Sequence, residues 1–95
     1  MILETAEFTV TDGPAFEAKV RAALPLFRAS PGCRDVTLHR VIEEPSRYRL
    51  LVQWDRLEDH TKTFRNSEAF TRWRAMVSPF FAAPPHVTHS EEAVA

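Results

Sequence analysis

His60 is the residue in this chain best suited to move a proton. With Leu57, Thr61 and Phe64 it falls at the spacing of one helical stripe, and that stripe is apolar enough to turn inward. An imidazole titrates near pH ~6.5, so an inward one can act as base or acid at neutrality. Its plainer alternative is a buried ring bonded to backbone. Trp54 closes the strand before this helix and suits either a pocket wall or ordinary core. Arg74 keeps its charge at any working pH and donates in a planar fork. It can hold an oxyanion or pair with a surface carboxylate. Tyr48 alternates onto the Trp54 face, where its hydroxyl could donate from a pocket wall. Phe27, Phe64, Phe70 and Trp73 read as core with some pocket lining.

Other reactive residue types carry less. His86 and His89 have a metal spacing only on a helix; on a strand, i and i+3 face opposite ways. No metal site is expected. Cys33 follows a turn without a neighbouring base to activate it. Arg65, Arg72 and Arg74 read first as a solvated helix face. Neither of the two glycines builds a phosphate loop.

These residues need a frame. Ninety-five residues make one domain. A 44% hydrophobic and 26% charged composition is that of a globular protein. A net charge of −1 opposes general nucleic-acid binding. No apolar run approaches membrane-spanning length. The N-terminus has no basic n-region before an apolar core, and the lone cysteine cannot form an internal disulfide, so a cytoplasmic location is expected.

Ile2, Ala6, Phe8 and Val10, with Glu4 among them, alternate with Leu3, Thr5, Glu7 and Thr9, which gives a first strand. Asp12-Gly13-Pro14 starts a helix striped by Phe16, Val20, Ala23 and Phe27. Pro25 should kink that helix or end it near Leu24, with a short continuation to about Ala29. Ser30-Pro31-Gly32 turns into a second strand, expected from Val36 to about Glu43 with Leu38, Arg40 and Ile42 on the Val36 face. A short Glu44-Pro45-Ser46 connection pairs it with the third strand, Arg47 to Trp54. Asp55, with Glu58 three residues on, predicts a capped helix to about Phe64. Asn66 or Ser67 re-caps a second segment striped by Phe70, Trp73 and Val77, and Pro79 ends it. His86 to Ser90 is a last strand. Residues 1–90 form the domain, and residues 91–95 are expected to be a flexible tail.

The order β-α-β-β-α-β predicts a ferredoxin-like α+β sandwich, with a four-stranded antiparallel sheet and both helices on one face. Leu3, Val41 and Leu51 interrupt the polar positions, so the open face is expected to meet a second copy in a homodimer.

With these elements in order, the chain resembles the antibiotic biosynthesis monooxygenase family of small dimeric α+β barrels. The carriers are Ser30-Pro31-Gly32-Cys33, Leu51-Val52-Gln53-Trp54, Leu57-Glu58-Asp59-His60, Phe64-Arg65-Asn66-Ser67 and Phe70-Thr71-Arg72-Trp73. The resemblance implies oxidation of anthrone-like phenols by O₂ with no cofactor, through a carbanion held in a dry pocket. It matches Trp54 to a pocket tryptophan and Arg74 to a pocket arginine. His60 stands where relatives have a substrate-contacting tyrosine, and Leu50 where they have a pocket asparagine. The haem-ligand position of haem-degrading relatives holds Trp73 or Arg74, so haem is not implied.

The expected function is therefore a cofactor-independent monooxygenase acting on a small aromatic or quinol-like substrate with O₂. His60 and Arg74 are its expected catalytic residues, and Trp54, Tyr48, Leu50, Phe64 and Trp73 are expected to bind substrate. A small-molecule-binding or stress-response protein, or a non-oxidative isomerase of a small metabolite, are the alternatives.

Overall fold

The computed structural model describes all 95 residues. Strand β1 (Ile2–Thr9) leads to helix α1 (Gly13–Arg28), then β2 (Cys33–Arg40) and β3 (Arg47–Trp54). A π-helical segment (Asp59–Phe64), helix α2 (Glu68–Val77), a 3₁₀ turn (Ser78–Phe80) and β4 (His86–Ser90) complete the chain. The strands lie in the order β2-β3-β1-β4, and every pairing is antiparallel. This is the ferredoxin-like α+β arrangement. No helix is long and apolar enough to cross a membrane.

The two central strands carry the inward face. β1 and β3 pair over their full length, from Ile2 opposite Trp54 to Thr9 opposite Arg47. Alternation then buries Glu4, Ala6 and Phe8 on β1 and Tyr48, Leu50, Val52 and Trp54 on β3. Helix α1 covers them with Phe16, Val20, Ala23 and Phe27. Its start follows the expected capping, because the Asp12 side chain accepts from the Ala15 N–H at 3.1 Å.

Four local expectations need correction. Pro25 does not end α1 near Leu24; the helix is continuous to Arg28 with its C-cap at Ala29, where the continuation was expected to stop. Pro25 lies on the exposed side, so the missing hydrogen bond falls where water can replace it. Phe27 meanwhile anchors the last turn between Phe64 (4.8 Å) and Trp73 (4.9 Å). Second, β2 begins at Cys33 and ends at Arg40, and Ile42 is 89% exposed. A register shift between Cys33 and Asp35 lets the strand start early. Third, Asp55 caps no helix: its carboxylate pairs with Arg34. The capping role passes to Asp59, whose Oδ2 accepts from the Arg56 N–H at 3.1 Å. Fourth, Leu57 is exposed, while Asp59, His60 and Phe64 are buried. The Arg65 N–H reaches back five residues to the His60 carbonyl at 3.1 Å. That wider turn rotates the stripe away from the 3.6-residue spacing.

Gly32 explains how this segment docks. Its φ of 82° is the left-handed conformation that glycine adopts without cost. The Asp59 carboxylate packs against the place where any Cβ would stand. The Gly32 carbonyl accepts from the Asp55 N–H at 2.8 Å, so the turn before β2 holds the exit of β3. Ser67 starts α2 as expected, accepting from the Phe70 N–H at 3.3 Å.

Candidate functional site

The sheet register assembles an ionisable cluster at one end of the inward face. Glu4 is directly opposite His89 across the β1–β4 pairing. It is diagonal to Trp54, because Glu4 pairs with Val52 and Ile2 with Trp54. The π-helical segment lowers His60 onto the same spot. Glu4 Oε1 accepts from the Trp54 indole N–H at 3.0 Å and lies 3.3 Å from His60 Nε2. His60 Nδ1 in turn shares a hydrogen bond of 2.7 Å with His89 Nε2. The His60 ring stacks on Trp54, with centroids 5.5 Å apart and planes 19° apart.

Burial disfavours the charged form of every ionisable group in this cluster. Burial pushes the Glu4 carboxyl from 4.5 up to about 7, against the opposing pull of the Trp54 hydrogen bond and the Arg65 charge. Burial also pushes the His60 imidazole down to about 4, helped by the charges of Arg65 and His89. His89 moves down for the same reasons, burial first and then Arg65. The 3.3 Å contact has the geometry of an ion pair. With a neutral ring near pH 7 it is a close polar contact between a carboxyl group and an imidazole. A carboxyl that titrates near neutrality inside a protein is suited to general acid–base work.

Glu4 also faces a cavity of about 350 Å³ between the sheet and α2. Ala6, Phe8, Leu50 and Val87 line it from the sheet. Phe64, Phe70 and Trp73 line it from the helical side, and Phe27, Phe81 and Pro85 close the remaining wall. Phe8 stacks on Phe81 at 5.3 Å, and Phe70 meets Phe64 edge-on at 5.7 Å. Arg65 and Arg74 stand at the exposed rim. Both Glu4 contacts use Oε1, and no buried side-chain oxygen in the chain lacks a partner. Oε2 is therefore the atom that Glu4 offers to an occupant.

Of the seven expected site residues, Leu50, Phe64, Trp73 and Arg74 line this cavity. His60 and Trp54 stand one layer behind it and hold Glu4. Tyr48 is elsewhere. Its hydroxyl donates to Glu17 Oε2 at 2.6 Å, beside Arg40, in a separate groove between α1 and the β2–β3 hairpin. Tyr48 shares a face with Trp54, but three pleats lie between them. His86 is exposed and His89 half-buried, as opposite strand faces require, so the two do not converge.

Glu4, His89 and Arg65 were missed as site residues. A carboxylate on an otherwise apolar inward stripe was the available signal for Glu4. His89 shares the Val87 face of β4, which alternation alone reveals. Arg65 carried no signal, because its approach to the cavity depends on the π-helical turn.

Comparison with known proteins agrees with this architecture. Residues 1–76 match the family model described as antibiotic biosynthesis monooxygenase. The uncharacterized protein YczJ of Bacillus subtilis (strain 168) is 34% identical over 94 residues, covering 97% of this chain and 99% of YczJ. A crystal structure from Bordetella bronchiseptica, of a protein named for the same family, is 42% identical with a TM-score of 0.94. That match covers 98% of this chain and 97% of the other. SnoaB of Streptomyces nogalater, described as a cofactor-independent oxygenase, has a TM-score of 0.85 at 15% identity, with 99% and 94% coverage. At that identity SnoaB shares the fold. The match over most of the chain, together with the close relatives, shows that this protein belongs to the antibiotic biosynthesis monooxygenase family.

Proposed function

We propose that this protein is a monooxygenase that oxidises a small aromatic or quinol-like substrate with O₂ and without a bound cofactor. The observation that carries the reading is a buried carboxyl on the wall of an apolar, aromatic-lined cavity, brought by burial to titrate at about 7. The family membership and the description of SnoaB as a cofactor-independent oxygenase support it.

In this reading Glu4 Oε2 removes a proton from an activated CH₂ (or an O–H) of the substrate. The aromatic system delocalises the carbanion, whose electron pair reduces O₂ as a C–O bond forms. Glu4 returns the proton to the resulting peroxide. The second C–H proton then leaves as the O–O bond breaks, and water departs. The sum is CH₂ + O₂ → C=O + H₂O. The apolar walls exclude water that would otherwise quench the carbanion.

His60 does not touch the cavity in this scheme. It is a positioning residue that holds Oε1 and links Glu4 to His89 for proton exchange, while Trp54 fixes the carboxyl from the other side. Arg74 lines the same cavity from its exposed rim. The functional unit is a homodimer formed through the open face of the sheet, where Leu3 and Leu51 are half-buried in the single chain.

An oxygen electrode tests the reading with anthrone, 1-naphthol and a quinol as probes. The wild-type protein should consume O₂ above the spontaneous rate with at least one of them. Glu4→Gln should lower that rate by roughly 10²-fold or more, the usual worth of a general base. No uptake with any probe, or product formed equally well without O₂, would overturn oxygenation. Unchanged uptake in Glu4→Gln would remove Glu4 from the scheme.

A further inference from the structure

We propose that the cavity selects an aromatic acid: its flat apolar body lies between the sheet and α2, and its anionic group is held at the rim by Arg65 and Arg74. The inference rests on the cavity's being the substrate site, and it adds the chemical class of the occupant.

The distribution of charge carries it. Six arginines are committed to carboxylates: Arg34, Arg40, Arg47, Arg49, Arg56 and Arg72. Four arginines, Arg21, Arg28, Arg65 and Arg74, have no carboxylate partner, and two of these, Arg65 and Arg74, are the arginines that line the cavity. Arg72, two residues from Arg74 on the same helix, shows the contrast: it pairs with Glu68 on the outer face at 3.0 Å. Arg74 instead leans over the Phe70 ring, with Cζ 5.9 Å from the centroid. Held there, its N–H groups have no carboxylate partner and can donate to a planar anion in bidentate fashion.

Polarity inside the cavity sets the direction of entry. Glu4 is the cavity's one acidic group and is buried, whereas both guanidiniums are exposed, with the Arg65 charge still reaching the Glu4 carboxyl. A carboxylate driven down to Glu4 would place two carboxyl groups together in an apolar wall, which is costly unless one is protonated. Turned the other way, the same ligand puts its anion between two unpaired cations and its reactive C–H or O–H against Oε2. The aromatic walls take the remainder. A neutral ligand of equal size gains the walls alone and leaves both cations unanswered.

Calorimetric titration of the full chain at low ionic strength tests this with two probes of nearly the same shape, 2-naphthoate and neutral 2-acetonaphthone. The naphthoate should bind at least about tenfold more tightly, as expected for charge-assisted hydrogen bonds at a partly exposed rim. The preference should shrink in 1 M salt and vanish in the Arg65→Gln/Arg74→Gln double variant. Both arginines are exposed, so the variant should keep the wild-type melting temperature, and acetonaphthone should bind it as before. Equal affinity of the two probes for wild type would overturn acid selection and leave the cavity as an aromatic site. A preference that survives the double variant would put the anion elsewhere and overturn the assignment to the rim. If neither probe binds, the substrate-site reading falls together with the inference.

Discussion

At the scale of single residues, Glu4 and His60 are perturbed in opposite directions by the same burial, and their effects on stability oppose each other. The Glu4 carboxyl is raised in the folded chain, so the folded state holds its proton more tightly than the unfolded state. Its contribution is full below 4.5 and is lost as pH rises to about 7. The His60 imidazole is lowered, so its contribution is full above 6.5 and is lost as pH falls to about 4. Each amounts to roughly 3 kcal/mol across its window. Between pH 4.5 and 6.5 the two slopes nearly cancel. Single variants should separate them. Glu4→Gln is expected to gain stability as pH rises through this interval, and His60→Gln to lose it, measured by urea unfolding at a series of pH values. Slopes of the same sign in both variants would contradict the burial account.

At the scale of elements, the site depends on how the π-helical segment is docked. Gly32 in the left-handed conformation lets the Asp59 carboxylate pack against the turn while that carboxylate holds the Arg56 N–H. One residue further on is His60. Gly32→Ala should therefore cost about 1–3 kcal/mol through backbone strain, with an added cost from displacing Asp59. The His60–Glu4 contact should loosen with it. Guanidinium unfolding reads the stability, and the imidazole ¹⁵N resonances of His60 and His89 read the contact. An alanine variant with unchanged stability and unchanged resonances would show that the turn does not position the segment.

At the scale of the whole molecule, helices cover one face of the sheet and the other remains open. Leu3 and Leu51 lie on that open face and are half-buried even within one chain. Thr5 pairs with Leu51, and Leu3 with Gln53, across β1 and β3. The patch is therefore continuous over the two central strands. Sedimentation at micromolar concentration should give about twice the chain mass of 10.9 kDa. Leu51→Asp should shift the protein to the single-chain mass by placing an unpaired charge in the interface. A wild-type mass near that of one chain would remove the dimer. Glu4 and the cavity lie on the covered face, so a monomeric Leu51→Asp protein should still bind an aromatic probe.

The order of elements, the inward stripes of β1, α1 and β3, and the covered and open faces were all legible in the sequence, because periods of two and 3.6 are local properties of the chain. So was the membership of Leu50, Phe64, Trp73 and Arg74 in one cavity, once family spacing was added to periodicity. The ionisable cluster was not legible. Glu4 and His60 are 56 positions apart, and their contact exists because β1 pairs centrally with β3 while a π-helical turn swings the histidine over the sheet. The same turn brings Arg65 to the rim, off what periodicity reads as a solvated face. Tyr48 shows the converse: it shares a face with Trp54, but distance along the strand carries it to another groove. Alternation determines which face a side chain takes. Only register and tertiary docking decide which residues on that face meet, and burial by those contacts raises the Glu4 carboxyl and lowers the His60 imidazole.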